Sequence, residues 1–321
     1  MSDHQWPEAG QSTPESAFQL KSLSPITTED SFTDIILVGD ISKHPLDGSK
    51  IWGHETEFFW PEKIPHARVS RFNYVASVVN THRTREEVIR ALREDILPER
   101  IKEQARDLDE YIKKKGSAAK PVLVGYGYGG LLCEQFIVDY AQDFPSSEVI
   151  KGLVLFGTPH FIHGLRQWAR IVVETRAQSE ASLASTSSIT GIIGRAFTRG
   201  RASSRNLESL EADLDNIAKE QQSFLNKTKK VWDTRIASCF PVLSSLSRHS
   251  ELSILPEWST VPHAKQVIIR KPYLEMTAFN GENDEGYKVI SSLIGGWIKK
   301  TKDHDNVPNK EDGVAIYPLR D

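Results

Sequence analysis

The segment best equipped for chemistry lies at residues 122–137. The apolar run Val122-Leu123-Val124 leads into Gly125-Tyr126-Gly127-Tyr128-Gly129-Gly130. The helical pattern Leu131-Leu132-Cys133-Glu134-Gln135-Phe136-Ile137 follows. A strand, a glycine-framed sharp turn and a helix, in that order, make a nucleophile elbow. Its usual pattern G-x-S-x-G presents a serine hydroxyl to a carbonyl. The glycines are here, but the middle position is Gly127, which has no hydroxyl. Acyl-transfer chemistry is thus present in outline and missing at its centre. Glycine still permits the tight turn. Tyr126 and Tyr128 flank it, and a phenol with a pKa near 10 is a poor nucleophile. Tyr128 is expected either to fill the vacated space or to lie under the helix as core.

Other chemistries find little support. No G-x-x-x-x-G-K-[ST] phosphate loop occurs, and the glycine spacing at 125–130 is not that of a dinucleotide fingerprint. His4, His44, His54, His66 and His82 are scattered without metal-ligand spacing. Cys133 and Cys239 are too few for a thiolate metal site or a disulfide framework. No metal or cofactor is expected. Lys113-Lys114-Lys115 reads as a solvated helix end, favourable beside the C-terminal dipole.

The elements that must position the elbow are legible as periodicities. Short apolar runs predict strands at 34–38, 67–72, 122–124, 152–156, 236–240 and 266–270, the second of them edge-like. Helices are predicted at about 99–115 (Ile101, Ala105, Leu108 and Ile112 on one stripe), 129–141, 206–225 and 285–299. This alternation implies an α/β fold, a mostly parallel central sheet covered by helices on both faces. In such sheets ligands bind beyond the carboxyl ends of the strands, so the loops after Val38, Val124, Phe156 and Ile269 should converge.

The chain has 321 residues, 39% of them hydrophobic, with seven Trp and thirteen Phe. That suffices for one large core spanning 32–300, flanked by a polar arm over 1–31 and a loose tail over 301–321. The formal net charge is −3, so nucleic acid is not an expected partner. The first 30 residues lack an apolar signal region, and no run is long enough to span a bilayer. The expectation is a cytoplasmic protein. Residues 175–205 are rich in Ser and Ala and strongly basic. They include Ile189, Ile192, Ile193, Ala196 and Phe197 at helical spacing. This segment reads as a flexible, lid-like insertion, either a surface excursion or a peripheral membrane contact.

Taken in order, these segments resemble the fungal serine-esterase or lipase-like α/β-hydrolases that occur alone or ahead of NACHT-type nucleotide-binding domains. The resemblance runs over about 33–299. It rests on the opening strand, Ile51-Trp52, Phe59-Trp60-Pro61, the elbow, and Leu155-Phe156-Gly157-Thr158-Pro159-His160. The Leu207–Phe224 helix, Met276-Thr277-Ala278-Phe279 and Asp284-Glu285-Gly286-Tyr287 complete it. It implies an α/β-hydrolase fold and a serine esterase or lipase site, and it marks departures from that site. The family's His-Gly loop after the first strand, which supplies an oxyanion donor, maps to Gly39 and Asp40. The family's catalytic histidine, three residues before a Met, maps to Tyr273. His249 and His263 stand ten residues or more from that position, and Asp233, Glu251 and Glu257 lie where a third member would be sought. Asp40 is expected either to point into the site or to cap a solvent-facing turn. His160 should border the site, its expected role being to hydrogen-bond a loop.

The resemblance therefore implies a catalytically degenerate member with vestigial positions Gly127, Tyr273, Gly39 and Asp40. Such a protein acts by binding an acyl or lipid-like small molecule or a protein partner, with Tyr126, Tyr128 and His160 as candidate binding residues. Two alternatives remain. One is an enzyme using the tyrosines and His160 for chemistry that needs no serine. The other is an esterase with a relocated nucleophile, Ser42 or a serine from 241–253.

Overall fold

The computed structural model describes residues 32–42, 63–79, 84–115, 120–140, 149–181, 201–228, 235–241 and 256–299. The expected arm and tail, the 189–197 stripe, His249, Asp233 and Glu251 lie outside them. So do the Ile51-Trp52 and Phe59-Trp60-Pro61 parts of the resemblance.

Six strands form one sheet: β1 (Thr33–Val38), β2 (Ala67–Phe72), β3 (Val122–Tyr126), β4 (Gly152–Phe156), β5 (Ile236–Pro241) and β6 (Lys265–Ile269). Their order is β2-β1-β3-β4-β5-β6 and every pairing is parallel. β1, β3, β4 and β5 are buried at every position, so both faces of the central sheet are covered. Continuous Val, Ile and Leu runs suit that environment. The edges differ. β2 carries Arg68, whose guanidinium grips the buried Asp34 of β1 at 2.5 and 2.8 Å, and β6 has three of its five residues exposed.

Among the described residues six α-helices accompany the sheet: α1 (Arg85–Asp95), α2 (Pro98–Lys115), α3 (Tyr128–Tyr140), α4 (Phe161–Ala181), α5 (Arg201–Thr228) and α6 (Glu285–Lys299). α1 starts at a capping box: the Glu87 amide donates to Thr84 and the Thr84 amide to Glu87. α2 opens on Pro98, which lacks an amide proton that would go unpaired there anyway, and buries Ile101, Ala105 and Leu108. α4 buries Leu165, Trp168, Ala169, Ile171 and Val172. Of the segment expected as an insertion, 175–181 belongs to α4 and 201–205 to α5.

The fold is the α/β-hydrolase fold: an all-parallel sheet with helices around it, and the strand that enters the elbow, β3, set between β1 and β4. Strand, turn and helix follow one another at 122–140 as the spacing predicted.

Candidate functional site at the elbow

The elbow is built by close approaches that only glycines allow. A β-carbon on Gly125 would come within 2.5 Å of Gly130 Cα, and one on Gly129 within 2.1 Å of the Val38 carbonyl oxygen. The first glycine lets the strand and helix cross; the second seats α3 against the end of β1. Gly127 turns the chain at φ +54°, the left-handed region. Its amide donates to the Phe156 carbonyl at 3.0 Å, and its carbonyl accepts from Gly130 at 3.0 Å.

The space that a side chain at 127 would enter is filled. A β-carbon there would lie 2.3 Å from the Tyr273 hydroxyl and 2.4 Å from both Cγ and Oδ1 of Asp40. The ring of Tyr273 also closes over Gly157, where a β-carbon would come within 2.7 Å of Cε2. Tyr273, not Tyr128, fills the vacated position. It is held there by a short turn, Tyr273–Glu275, behind Pro272.

Asp40 points inward and is 2% exposed. Its Oδ1 accepts from the Tyr128 amide at 2.9 Å and from the Trp168 indole at 3.1 Å. Its Oδ2 accepts from the Tyr273 hydroxyl at 3.0 Å and from the Ser42 hydroxyl. The amide of the residue after the nucleophile position is the one that stabilises a developing oxyanion in a working elbow. Here Asp40 occupies it. Arg176 of α4 donates from Nε and Nη2 to the Ile41 carbonyl at 3.0 and 2.5 Å. Its own pKa is lowered by burial, and the Asp40 charge opposes that shift. Gly39 takes part through its carbonyl, which accepts from the Tyr74 hydroxyl at 2.7 Å.

Tyr126 and Tyr128 are fully buried with their hydroxyls hydrogen-bonded. Tyr126 donates to the Tyr273 carbonyl at 2.8 Å, with the two rings 5.3 Å apart. The Tyr128 hydroxyl lies 2.6 Å from the Asp95 carbonyl and 2.9 Å from Gln104 Oε1, and its ring stacks on Trp168 at 6.0 Å. Burial raises the pKa of all three phenols well above 10; the charge on Asp40 adds to this at Tyr273 and Tyr126, and that on Asp95 at Tyr128. No phenolate nucleophile arises from this arrangement.

His160 belongs to a separate network. Its Nε2 lies 2.5 Å from Glu134 Oε1, its backbone amide donates to the Trp258 carbonyl at 2.6 Å, and Gln221 bridges Glu134 and the Pro159 carbonyl at 3.1 and 2.8 Å. The structure thus brings together Gly127, Asp40, Tyr273, Tyr126 and the Tyr128 amide, and leaves His160 apart. His263 and Glu257 are exposed, and Ser42 is bonded to a carboxylate. A shallow, solvent-open cleft lies between α2, α3 and α5, lined in part by Ile101, Leu131, Ile217 and Phe224 and not by Gly127. Among the described residues no group of three or more His, Cys, Asp or Glu could hold a metal. None of the helices there is long and apolar enough to cross a membrane.

Sequence reasoning missed Trp168 and Ser42 as partners of Asp40. Trp168 had a signal, an aromatic within the apolar run of α4. Nothing in the sequence marked the pairing, because 128 positions separate it from Asp40.

No family model matches the chain, and no curated protein does. Several solved structures are similar at low identity. One is an α/β-hydrolase from the metagenome of lagoon sediments at Mar Chica, Morocco. It is 14% identical, with 89% of this chain and 100% of that one covered and a TM-score of 0.41. Another is a carboxylesterase structure from the thaumarchaeon Nitrososphaera gargenis (13%, 85% and 94% covered, TM-score 0.44). A third is a putative lipase from Acinetobacter baumannii AYE (11%, 89% and 93% covered, TM-score 0.40).

Proposed function

We propose that this protein is a catalytically degenerate α/β-hydrolase of the esterase/lipase-like kind, acting in the cytoplasm by binding a protein partner rather than by hydrolysis. One observation carries the reading: the volume a catalytic serine would need at Gly127 holds the Tyr273 hydroxyl and the Asp40 carboxylate. A triad works as a unit, and losing the nucleophile or the base removes nearly all of its advantage. The position matched to the base carries a buried tyrosine. Losing one oxyanion donor costs about 100- to 1000-fold in rate, and here the Tyr128 amide is committed to Asp40. The same filling argues for a protein partner over an acyl ligand seated at the elbow. The two free, buried thiols suit a reducing compartment.

The test is direct. Purified protein is assayed with p-nitrophenyl acetate and butyrate and with a fluorophosphonate probe, beside an active esterase. Rates equal to the buffer blank and no labelled band are expected. Saturable turnover, or a covalent adduct on any serine, sinks the proposal. Organic extraction should yield no acyl compound in stoichiometric amount; recovery of one would restore the small-molecule reading.

A further inference from the structure

Asp40 is bound as a ligand would be bound. An ionised carboxylate offers about four lone-pair positions and no donor. Four donors meet it, two on each oxygen. They come from four places in the chain: the loop after β1, the first residue of α3, the middle of α4, and the turn after β6. Ser42, Tyr128, Trp168 and Tyr273 are each at most 2% exposed, and Arg176 holds the same loop through the Ile41 carbonyl. Burying a carboxylate is costly unless each oxygen is met, and here the meeting is complete.

We propose that these donors form a carboxylate-binding site whose resident ligand is the side chain of Asp40. Removal of that side chain yields a receptor for a small external carboxylate such as formate or acetate. The proposal rests on reading the elbow as non-hydrolytic, since a working elbow needs the Tyr128 amide free. The ligand class follows from the donors: two hydroxyls, an indole and an amide spaced around a planar, two-oxygen anion. The wild-type protein should ignore added carboxylates, because the site is full.

The experiment uses full-length Asp40→Gly, which removes Cβ and the carboxylate together and so leaves room for either anion. Thermal midpoints are followed by Trp fluorescence while sodium formate or acetate is added at constant ionic strength against sodium chloride. Formamide serves as a neutral analogue of the same shape. A ligand that binds only the folded state raises the midpoint in a saturable way. Asp40→Gly should gain at least about 3 °C with formate or acetate and nothing with formamide or chloride, while wild type stays flat. In Asp40→Gly/Tyr273→Phe the half-saturating formate concentration should rise roughly 10-fold, the loss of one hydrogen bond to a charged group. If Asp40→Gly is unfolded in chloride, it is refolded in formate and in chloride. Formate-dependent recovery of soluble protein supports the site, and no recovery in either overturns it. Equal midpoints in formate and chloride also overturn it, without touching the hydrolase reading. Ester turnover by wild type would end that reading and leave the formate result standing on its own.

Discussion

Introducing serine at the elbow is the sharpest perturbation. Gly127→Ser places a β-carbon at φ +54°, which costs about 1–2 kcal/mol for a residue other than glycine. It also drives that carbon to 2.3 Å from the Tyr273 hydroxyl and 2.4 Å from Asp40, inside a packed site. Overpacking of that kind costs about 1–3 kcal/mol. The sum is roughly 2–5 kcal/mol out of a total stability of about 5–15 kcal/mol. At about 2–4 °C per kcal/mol for a domain of this size, the thermal midpoint should fall by roughly 4–20 °C.

Activity should stay at the blank. A hydroxyl at 127 would meet a tyrosine where a base is needed and a carboxylate where the oxyanion must form. The cause of the destabilisation is checked by a double-mutant cycle. Tyr273→Phe removes the nearest clashing atom. Gly127→Ser/Tyr273→Phe should therefore be less destabilised than the sum of the single changes, by about 0.5–3 kcal/mol. An unchanged midpoint for Gly127→Ser, strictly additive energies, or saturable ester hydrolysis by the single variant would each refute the reasoning.

Further outcomes follow from the same contacts. Trp168→Phe keeps most of the stack on Tyr128 but removes one donor from a buried carboxylate; it should cost about 1.5–3 kcal/mol in urea denaturation. The phenols of Tyr126, Tyr128 and Tyr273 have folded pKa values raised above 10, chiefly by burial. Their contribution to stability is complete below pH 10 and is lost as pH climbs through the raised values. Burial raises Tyr74 in the same way, so phenolate absorbance should show at least four tyrosines ionising only as the fold is lost, and free titration of all eight near pH 10 would contradict this. Asp95 is raised in the same sense by burial, so its contribution is greatest below about pH 4 and declines as pH rises through its folded value. Asp95→Asn should blunt that decline in a stability–pH profile. Glu134→Leu strands the His160 ring nitrogen and one N–H of Gln221, whose bond to the Pro159 carbonyl remains, and should cost about 1–3 kcal/mol per stranded group, whereas Glu134→Gln should cost less.

Much of the fold was legible because its signals are local. Four of the six strands, β1, β3, β4 and β6, contain an unbroken apolar run of three or more residues, and α2, α3, α5 and α6 fall where helical periodicity puts them. α1 was passed over although Thr84 and Glu87 spell a capping box, since its apolar positions are few and its charges many. α4 escapes a periodicity reading because its start, Phe161, lies at φ +57° directly after the Gly-Thr-Pro-His turn. At the site, local reading shows that Gly127 lacks a hydroxyl, whereas Asp40 and Tyr273 are marked only by the family resemblance. It left open which way Asp40 points. That is settled by four donors, two of them more than 120 positions away in the chain. A side chain's direction is a property of the assembled packing, and no window of sequence contains it.

The three departures at the elbow depend on one another. The Tyr273 ring can lie where it does because both Gly127 and Gly157 lack a β-carbon. The Asp40 carboxylate can be buried because Tyr273 and Trp168 donate to it and because Gly127 leaves it room. Tyr273 in turn is fixed by that carboxylate and by Tyr126 beneath it. Histidine at 273 alone would leave Asp40 in the anion position. Glycine at 40 alone would leave four donors facing a void. Serine at 127 alone would strike both neighbours. Each of these changes made alone thus leaves the other two obstacles in place. Only the combined variant Gly127→Ser/Asp40→Gly/Tyr273→His offers a nucleophile, a free anion hole and a base together. If it hydrolyses p-nitrophenyl acetate while all three single variants stay at the blank, the elbow's silence is the joint property of these three positions. If the triple variant folds and is equally silent, something beyond them, such as the third member of the triad, is also missing.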